Sequence, residues 1–439
     1  MLTKKYKYNS NNLTCRLKPY ICAPAACISL EHMNIAWFIT RRIAFAKSRS
    51  FSGFIIGIAI TAVALSVAVM IITTATVNGF QNEISRKIFG FWGHIHMSKF
   101  TMNMSYDDQV PTTIHQAFYP ALDTVPGIKH IQVYAQKPGI IKTDSEIEGI
   151  VLKGVATDFD WSFFREYMVE GNVLTLSDTA KSNSIILSQT TAKRLRLSTG
   201  DGLAIYFVQN PPLVRKFTIS GIYKTGLEEY DEKYALIDIK HIQKLNGWED
   251  DQVGGFEVFL DRMEDLPYFS NLVYYEIAGQ DLQSLNIREI NPNIFEWLEL
   301  QDMNEQVILG LMLLVAIINM ITALLILILE RTNMIGILKA LGASDWTVRK
   351  IFLFNAAYIV GWGLLTGNLL GLGICFLQLK FGFITLPEES YYLSVAPIDI
   401  NWITVFTINA GTMVICLFAL ILPSYLATTI NPIKAIRFK

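Results

Sequence analysis

The sequence predicts a membrane α-helical protein: four transmembrane helices, with one large mixed α/β extracytoplasmic domain inserted between the first and second spans. Three observations carry that prediction. Apolar residues fill 51% of the 439 positions and charged residues only 17%, a balance more apolar than soluble domains show. Four stretches contain no charged side chain over the roughly 20 residues that cross a hydrocarbon core. The signs of charge are also kept apart. Residues 81–305 hold 20 basic and 32 acidic side chains out of totals of 37 and 38, which leaves 17 and 6 for the rest. The only large polar region is therefore acidic, which excludes a nucleic-acid binder built as one basic surface. A disordered or disulfide-stapled chain is excluded by the same composition.

In chain order, the spans are residues 51–77, 307–329, 351–379 and 402–430. Helices uncharged around their whole circumference fit a bilayer better than a soluble core. Lys and Arg are enriched in segments that stay cytoplasmic. Arg41, Arg42, Lys47 and Arg49 precede the first span, Arg331, Lys339, Arg349 and Lys350 lie between the second and third, and Lys434, Arg437 and Lys439 close the chain. The loop 380–401 carries Glu388, Glu389 and Asp399 instead. Both termini, and the loop 330–350, are thus expected inside, and residues 78–306 on the far side. Met33 opens a segment that reads as a complete lead into the first span, so residues 1–32 are expected to be an upstream extension. In 33–50, Ile35, Phe38, Ile39, Ile43 and Phe45 interleave with basic residues, which suits an amphipathic helix along the interface; a plain flank is the alternative. Cys15, Cys22 and Cys27 precede the first span, Cys375 and Cys416 lie within spans, and 78–306 has none, so that domain uses no disulfide.

Residues 78–306 alternate strand-like runs with helical ones. Strands are expected at 140–142, 149–153, 184–187, 203–208, 216–222, 234–237 and 254–260, and helices at 189–195, 239–245 and 263–273. The runs 203–208 and 216–222 should pair as a hairpin across Gln209-Asn210-Pro211-Pro212.

Catalytic and ligand-binding motifs are scarce. There is no phosphate-cradling G-x-x-x-x-G-K-[ST], no H-E-x-x-H and no paired C-x-x-C, so no catalytic residue, metal site or cofactor is expected on this chain. His94 and His96 are expected to be structural or surface histidines, and the run Glu228, Glu229, Asp231, Glu232 a solvated face. The spans do carry packing information. Gly363, Gly367 and Gly371 recur every four residues, as do Gly53 and Gly57, a spacing that lets helices approach closely. Asn319, Asn368 and Asn409 place amides in hydrocarbon, so each should face a helix or a cavity. The spans lack Asp, Glu and Arg, which disfavours an ion-coupled carrier.

The most informative segment is Glu330-Arg331-Thr332-Asn333-Met334-Ile335-Gly336-Ile337-Leu338-Lys339-Ala340-Leu341-Gly342-Ala343-Ser344. It resembles the R-x-x-E-I-G-I-L-K-A-L-G-A signature of ABC transporter permeases of the FtsX/MacB/LolC-LolE family, with Met334 where the pattern has glutamate. The closing Asn431-Pro432-Ile433-Lys434-Ala435-Ile436-Arg437 is similar to that family's P-x-x-A-[LI]-R. The run from Arg41 to Ser48, Leu152-Lys153-Gly154-Val155 and Leu386-Pro387-Glu388-Glu389-Ser390-Tyr391-Tyr392 resemble pieces of the lipoprotein-releasing branch. The resemblance implies a non-catalytic inner-membrane subunit working with a cytoplasmic ABC ATPase, which holds the ATP and Mg, and with a second permease chain. Implied too are membrane lipid, lipoprotein cargo and a periplasmic carrier as partners, with no nucleic acid. It assigns ATPase coupling to Arg331, Met334, Ile335, Gly336, Ile337, Leu338, Lys339, Ala340, Leu341 and Gly342. Helix packing falls to Gly53, Gly57, Gly363, Gly367, Gly371 and Asn319. In one member of that branch the hairpin after the Gly-Asp turn is prolonged into a hook for the carrier; here the tip spans only about 208–216. An FtsX-like regulator of an exported partner and a MacB-like peptide or drug exporter are the alternatives.

Overall fold

The computed structural model describes residues 51–101, 109–143, 146–279 and 281–428. The extension at 1–32, the amphipathic helix at 33–50 and the closing motif at 431–437 lie outside the described residues. Among the described residues, four helices are long and apolar enough to cross a membrane: Phe51–Trp92, Pro292–Glu330, Asp345–Phe381, and Trp402–Ala419 with its continuation to Ser424. The first has 42 residues, about 60 Å at ~1.5 Å per residue, twice the hydrocarbon thickness. The predicted limits at 77 and 307 therefore mark where apolar sequence stops, and the helices run on through polar residues. The fourth span departs from its predicted range 402–430: its helix ends at Ala419, followed by the turn Ile421–Ser424 and a 3-10 turn Tyr425–Thr428. Pro423 explains the break, because its ring clashes with the carbonyl four residues earlier, at Ala419.

The chain divides into two compact units, Val67–Met312 with Asn368–Ile408, and the remainder. In the remainder, a Cβ on Gly363 would lie 2.7 Å from Val63, so this glycine permits close contact with the first helix. In the other unit, a Cβ on Gly371 would lie 3.0 Å from the Ala68 Cα. Gly367 is buried between them in sequence, and Asn319 is half-buried. Gly53 and Gly57 are exposed, with nothing within 4 Å of a Cβ at either position in this chain.

Among its described residues the inserted domain holds twelve strands: β1 (Ile95–Lys99), β2 (Thr112–Thr113), β3 (Ile128–Lys142), β4 (Ile147–Val155), β5 (Met168–Gly171), β6 (Ser184–Ser188), β7 (Gly202–Phe207), β8 (Leu213–Tyr223), β9 (Tyr234–Asp238), β10 (Gln252–Val253), β11 (Gly255–Leu260) and β12 (Leu282–Asn286). Ten form one sheet in the order β12-β1-β11-β3-β4-β9-β6-β8-β5, with β7 pairing both β3 and β8. The pairings β3-β4-β9-β6-β8-β7-β3 close a small barrel. β3 makes this possible by its length of 15 residues. Its first half pairs with β11, its second half with β4, and Ile140 and Ile141 also meet Tyr206 and Ile205 of β7. Ile141, Ile150, Leu152, Ile186, Ile205, Phe207, Phe217 and Leu236 are all buried.

The predicted strands are present, most of them longer than expected. The hairpin tip is shorter: Phe207 pairs with Leu213, so only five residues, 208–212, form the turn. Helix Gln189–Leu195 matches its prediction and is capped by Ser188, whose side chain accepts the Thr191 N–H. The expected helix 263–273 is divided into a 3-10 turn, the helix Leu266–Leu272 and a π-turn to Ile277. The expected solvated face at 228–232 is corrected at one position. Asp231 is buried and accepts the N–H groups of Thr225 and Gly226 and the Thr225 hydroxyl at 2.7 Å, which satisfies a carboxylate that could not otherwise leave water.

Candidate functional site

The signature segment forms a short helix, Thr332–Ala340, set off from the second membrane helix by a bend at Arg331. Its end follows from Gly342, whose φ of +89° is a left-handed conformation open to glycine. The Ala343 N–H donates to the Leu338 carbonyl at 2.9 Å and the Gly342 N–H to that of Lys339 at 3.0 Å, the paired bonds of a Schellman motif. The next helix starts at once, with the Ser344 hydroxyl accepting the Thr347 N–H.

This geometry sorts the ten predicted coupling residues. Ile335 and Gly336 are buried and hold the helix in place; Arg331, Met334 and Leu338 are half-buried. Ile337, Ala340, Leu341 and Gly342 are exposed, Leu341 at 81%. Lys339 is half-buried. Its ammonium turns inward to the Thr428 carbonyl at 2.6 Å and Asp345 at 2.9 Å. Trp346, which lies outside the signature, is a third large apolar side chain exposed in this segment, at 58%.

Within the inserted domain, the first long helix is anchored by its last turns. Ile84, Ile88, Phe91 and Trp92 are buried in the core. Phe91 packs on Phe164, Tyr230 and Tyr234 at centroid distances of 5.4, 5.1 and 5.6 Å. The second long helix is anchored by Ile294, Phe295 and Leu298, and Phe295 stacks on Phe89 at 6.2 Å. Between the two, Gln81 donates to Asp302, and the Thr74 hydroxyl to Glu305 at 2.7 Å. His94 and His96 are both buried, and each ring bonds to backbone: His94 Nδ1 accepts the Leu260 N–H, and His96 Nε2 lies 2.6 Å from the Trp92 carbonyl. Among the described residues no third ligand joins them. Burial lowers their pKa values to about 4 and about 3, so both are neutral.

The loop 382–401 is a strap across the first helix. Gln378 holds its base, donating to the Ile384 and Ala396 carbonyls and accepting the Ile384 N–H. The strap then ties to the domain at several points. Glu388 pairs with Lys224 at 2.6 Å, Lys87 donates to the Tyr392 carbonyl at 3.1 Å, and the Asp399 N–H donates to the Ala75 carbonyl at 2.9 Å. A Cβ on Gly79 would stand 2.6 Å from the Pro397 carbonyl oxygen, so the two backbones touch.

Two family descriptions match this architecture. The MacB-like periplasmic core domain matches residues 56–268, and the FtsX-like permease C-terminal domain residues 306–432. The chain belongs to the FtsX/MacB/LolC-LolE family of ABC transporter permeases. This permease is 24% identical, over 90% of its length and 96% of the relative's, to the lipoprotein-releasing system transmembrane protein LolC of Xylella fastidiosa. It is 21% identical, over 92% and 99%, to the lipoprotein-releasing system transmembrane protein LolE of Haemophilus influenzae. A solved structure, the periplasmic region of MacB from Actinobacillus actinomycetemcomitans, covers 46% of the permease and 91% of its own chain at 13% identity and a TM-score of 0.33.

Proposed function

We propose that this permease is the membrane subunit of an ABC transporter in which a separate ATPase drives extraction of lipoproteins from the outer leaflet of the inner membrane toward a periplasmic carrier. One observation carries the reading: similarity along nearly the whole chain, membrane helices and inserted domain together, to proteins named for a lipoprotein-releasing system. In this reading the Lys and Arg bias puts both termini in the cytoplasm and the inserted domain outside. Ile337, Leu341 and Trp346 are the surface for the ATPase, which keeps the ATP and Mg, and a second permease chain completes the membrane unit.

The inserted domain is grown from two helices that enter its core without a break, so displacement of either helix moves the domain as a body. The strap adds a third attachment. Lifting an acyl chain out of lipid costs about 0.8 kcal/mol per methylene, a demand suited to ATP. The five-residue hairpin tip favours the subunit without a carrier hook.

Affinity purification from the native membrane, with mass spectrometry of everything retained, tests the proposal. A small ATPase with lipoproteins supports it, and a second permease in the same sample decides between homo- and heterodimer. An ATPase with a wall hydrolase or an adaptor, and no lipoprotein, replaces it with the regulator or exporter reading. Recovery without any ATPase overturns the coupling assignment.

A further inference from the structure

A cleft of about 740 Å³ opens in the inserted domain between the tail of the first long helix, the head of the second and the end of β11. Its floor is aromatic: Phe89, Phe163, Phe259 and Phe295 line it. Its charge is one-sided, with six carboxylates against three cations. Two cations are already satisfied, Arg86 by Glu166 at 3.1 Å and Lys129 by Asp160 at 3.6 Å. The third, Arg288, lies over the Phe295 ring at 5.7 Å. Four carboxylates, Asp261, Glu264, Glu299 and Asp302, remain to set the sign of the cleft. Just outside, Arg262 is turned to Asp265 at 2.9 Å.

The wall supplies a second, independent feature. His94 is 7% exposed, its ring is stacked on Phe89 at 4.2 Å, and its Nδ1 accepts the Leu260 N–H at 3.2 Å. A neutral imidazole that accepts at Nδ1 carries its proton on Nε2. That donor has no acceptor among the described residues, in a side chain more than nine-tenths buried.

We propose that this cleft binds a basic peptide segment, with lysine or arginine side chains laid across the phenylalanine floor toward the acidic rim and a backbone carbonyl on His94 Nε2. Each part of the wall selects for that chemistry. An acidic rim repels anions. Aromatic faces attract organic cations and cover their alkyl stems, which a bare metal ion does not use. The unpartnered imidazole N–H calls for an acceptor, which a peptide carries at every residue and a polyamine lacks. The volume suits a few residues rather than a folded domain. The inference stands apart from the cargo of the transporter.

The test uses the full-length permease in phosphatidylcholine nanodiscs and a fluorescein-labelled, end-capped hexapeptide of alternating arginine and glycine, followed by anisotropy. Saturable binding is expected, weakened about tenfold or more by the double variant Glu264→Gln/Glu299→Gln and less than about twofold by Glu249→Gln/Asp250→Asn, an exposed acidic pair outside the cleft. All four residues are exposed, so an unchanged melting temperature is expected in both variants. Absence of saturable binding overturns the proposal. So does equal weakening by both pairs, which would reduce the effect to general attraction by an acidic domain. Equal affinity for spermine overturns the peptide assignment.

Discussion

Lys153 and Glu257 form an ion pair sealed from solvent: the ammonium lies 2.8 Å from Oε1 and 3.0 Å from Oε2, and neither side chain has exposed surface. The same ammonium donates to the Phe91 carbonyl at 2.6 Å and sits 4.2 Å from the centre of the Trp92 ring, so the last turn of the first long helix ends on it. Gln132 donates to Glu257 at 2.8 Å and brings β3 into the network. Burial pulls the lysine below its ordinary pKa and pushes the glutamate above its own, each opposed by the partner's charge. Removing one partner strands the other. Lys153→Met is expected to cost about 3–5 kcal/mol, and the double variant Lys153→Met/Glu257→Met to recover most of it. Thermal denaturation of the purified permease checks this; a single variant costing under ~1 kcal/mol would break the argument.

The turn after Ile337 separates docking from folding. Leu341 is 81% exposed, so Leu341→Asp should leave the melting temperature unchanged while abolishing co-purification of the ATPase. Lys339→Ala should do the opposite, because its ammonium serves Thr428 and Asp345 within the permease. Gly342→Ala places a Cβ at a φ of +89° and is expected to destabilise the turn by about 1 kcal/mol. Pull-down and melting, measured on the same three proteins, decide the matter; loss of ATPase from Lys339→Ala alone would reverse the assignment.

Local features of this fold are legible in the sequence, and its long-range closures are not. The four spans, the helix Gln189–Leu195 and the β7–β8 hairpin follow from uncharged runs, helical periodicity and alternation within short windows. Barrel closure depends on two residues of β3 meeting β7, and no pattern in either strand announces the pairing. The same holds for the strap, where Asn82 bonds to Asp399 across 317 positions. The signature marks the turn at Gly342 but not the inward course of the Lys339 side chain, which depends on Thr428, 89 positions away. Lys153 did carry a signal, since a lysine inside the apolar run Ile150–Val155 must find a buried partner. The identity of Glu257 as that partner did not follow from it.

The strap offers a sharper test of transmission than the membrane helices do. Gly79 lies against the Pro397 backbone with no room for a Cβ. Gly79→Val must push the strap away and disturb the neighbouring bond from the Asp399 N–H to Ala75. The expected result is normal insertion and ATPase binding, with cargo release reduced at least about tenfold, the size of an effect near 1.4 kcal/mol. Glu388→Gln, which weakens the pair with Lys224 without a steric change, should show a smaller loss in the same direction. Release assays from spheroplasts compare the two. Full activity of Gly79→Val would remove the strap from the mechanism.

Stability should depend on pH through buried histidines: His94 and His96 carry the large shifts, and His241, also buried and lowered by burial, acts in the same sense. In the folded domain His94 titrates at about 4 and His96 at about 3, both held down first by burial; Lys129 adds to the shift at His94 and Lys153 at His96. In the unfolded chain both titrate near 6.5. Between these values the unfolded state binds more protons, so stability rises with pH and is lost as pH falls from about 6.5 toward 4. Each histidine contributes a slope of about 1.4 kcal/mol per pH unit well inside that window, and the pair about 2.7. Carboxylates titrating normally add little above pH 5, while Asp158, Asp231 and Glu257, held above their ordinary range by burial, act in the opposite sense and reduce the net rise. Denaturation midpoints of the full permease between pH 5 and 7 should therefore climb. His96→Phe removes one titrating group and should lower the slope by about 1.4 kcal/mol per pH unit, whatever it does to absolute stability; an unchanged slope would mean that His96 is protonated in the folded domain.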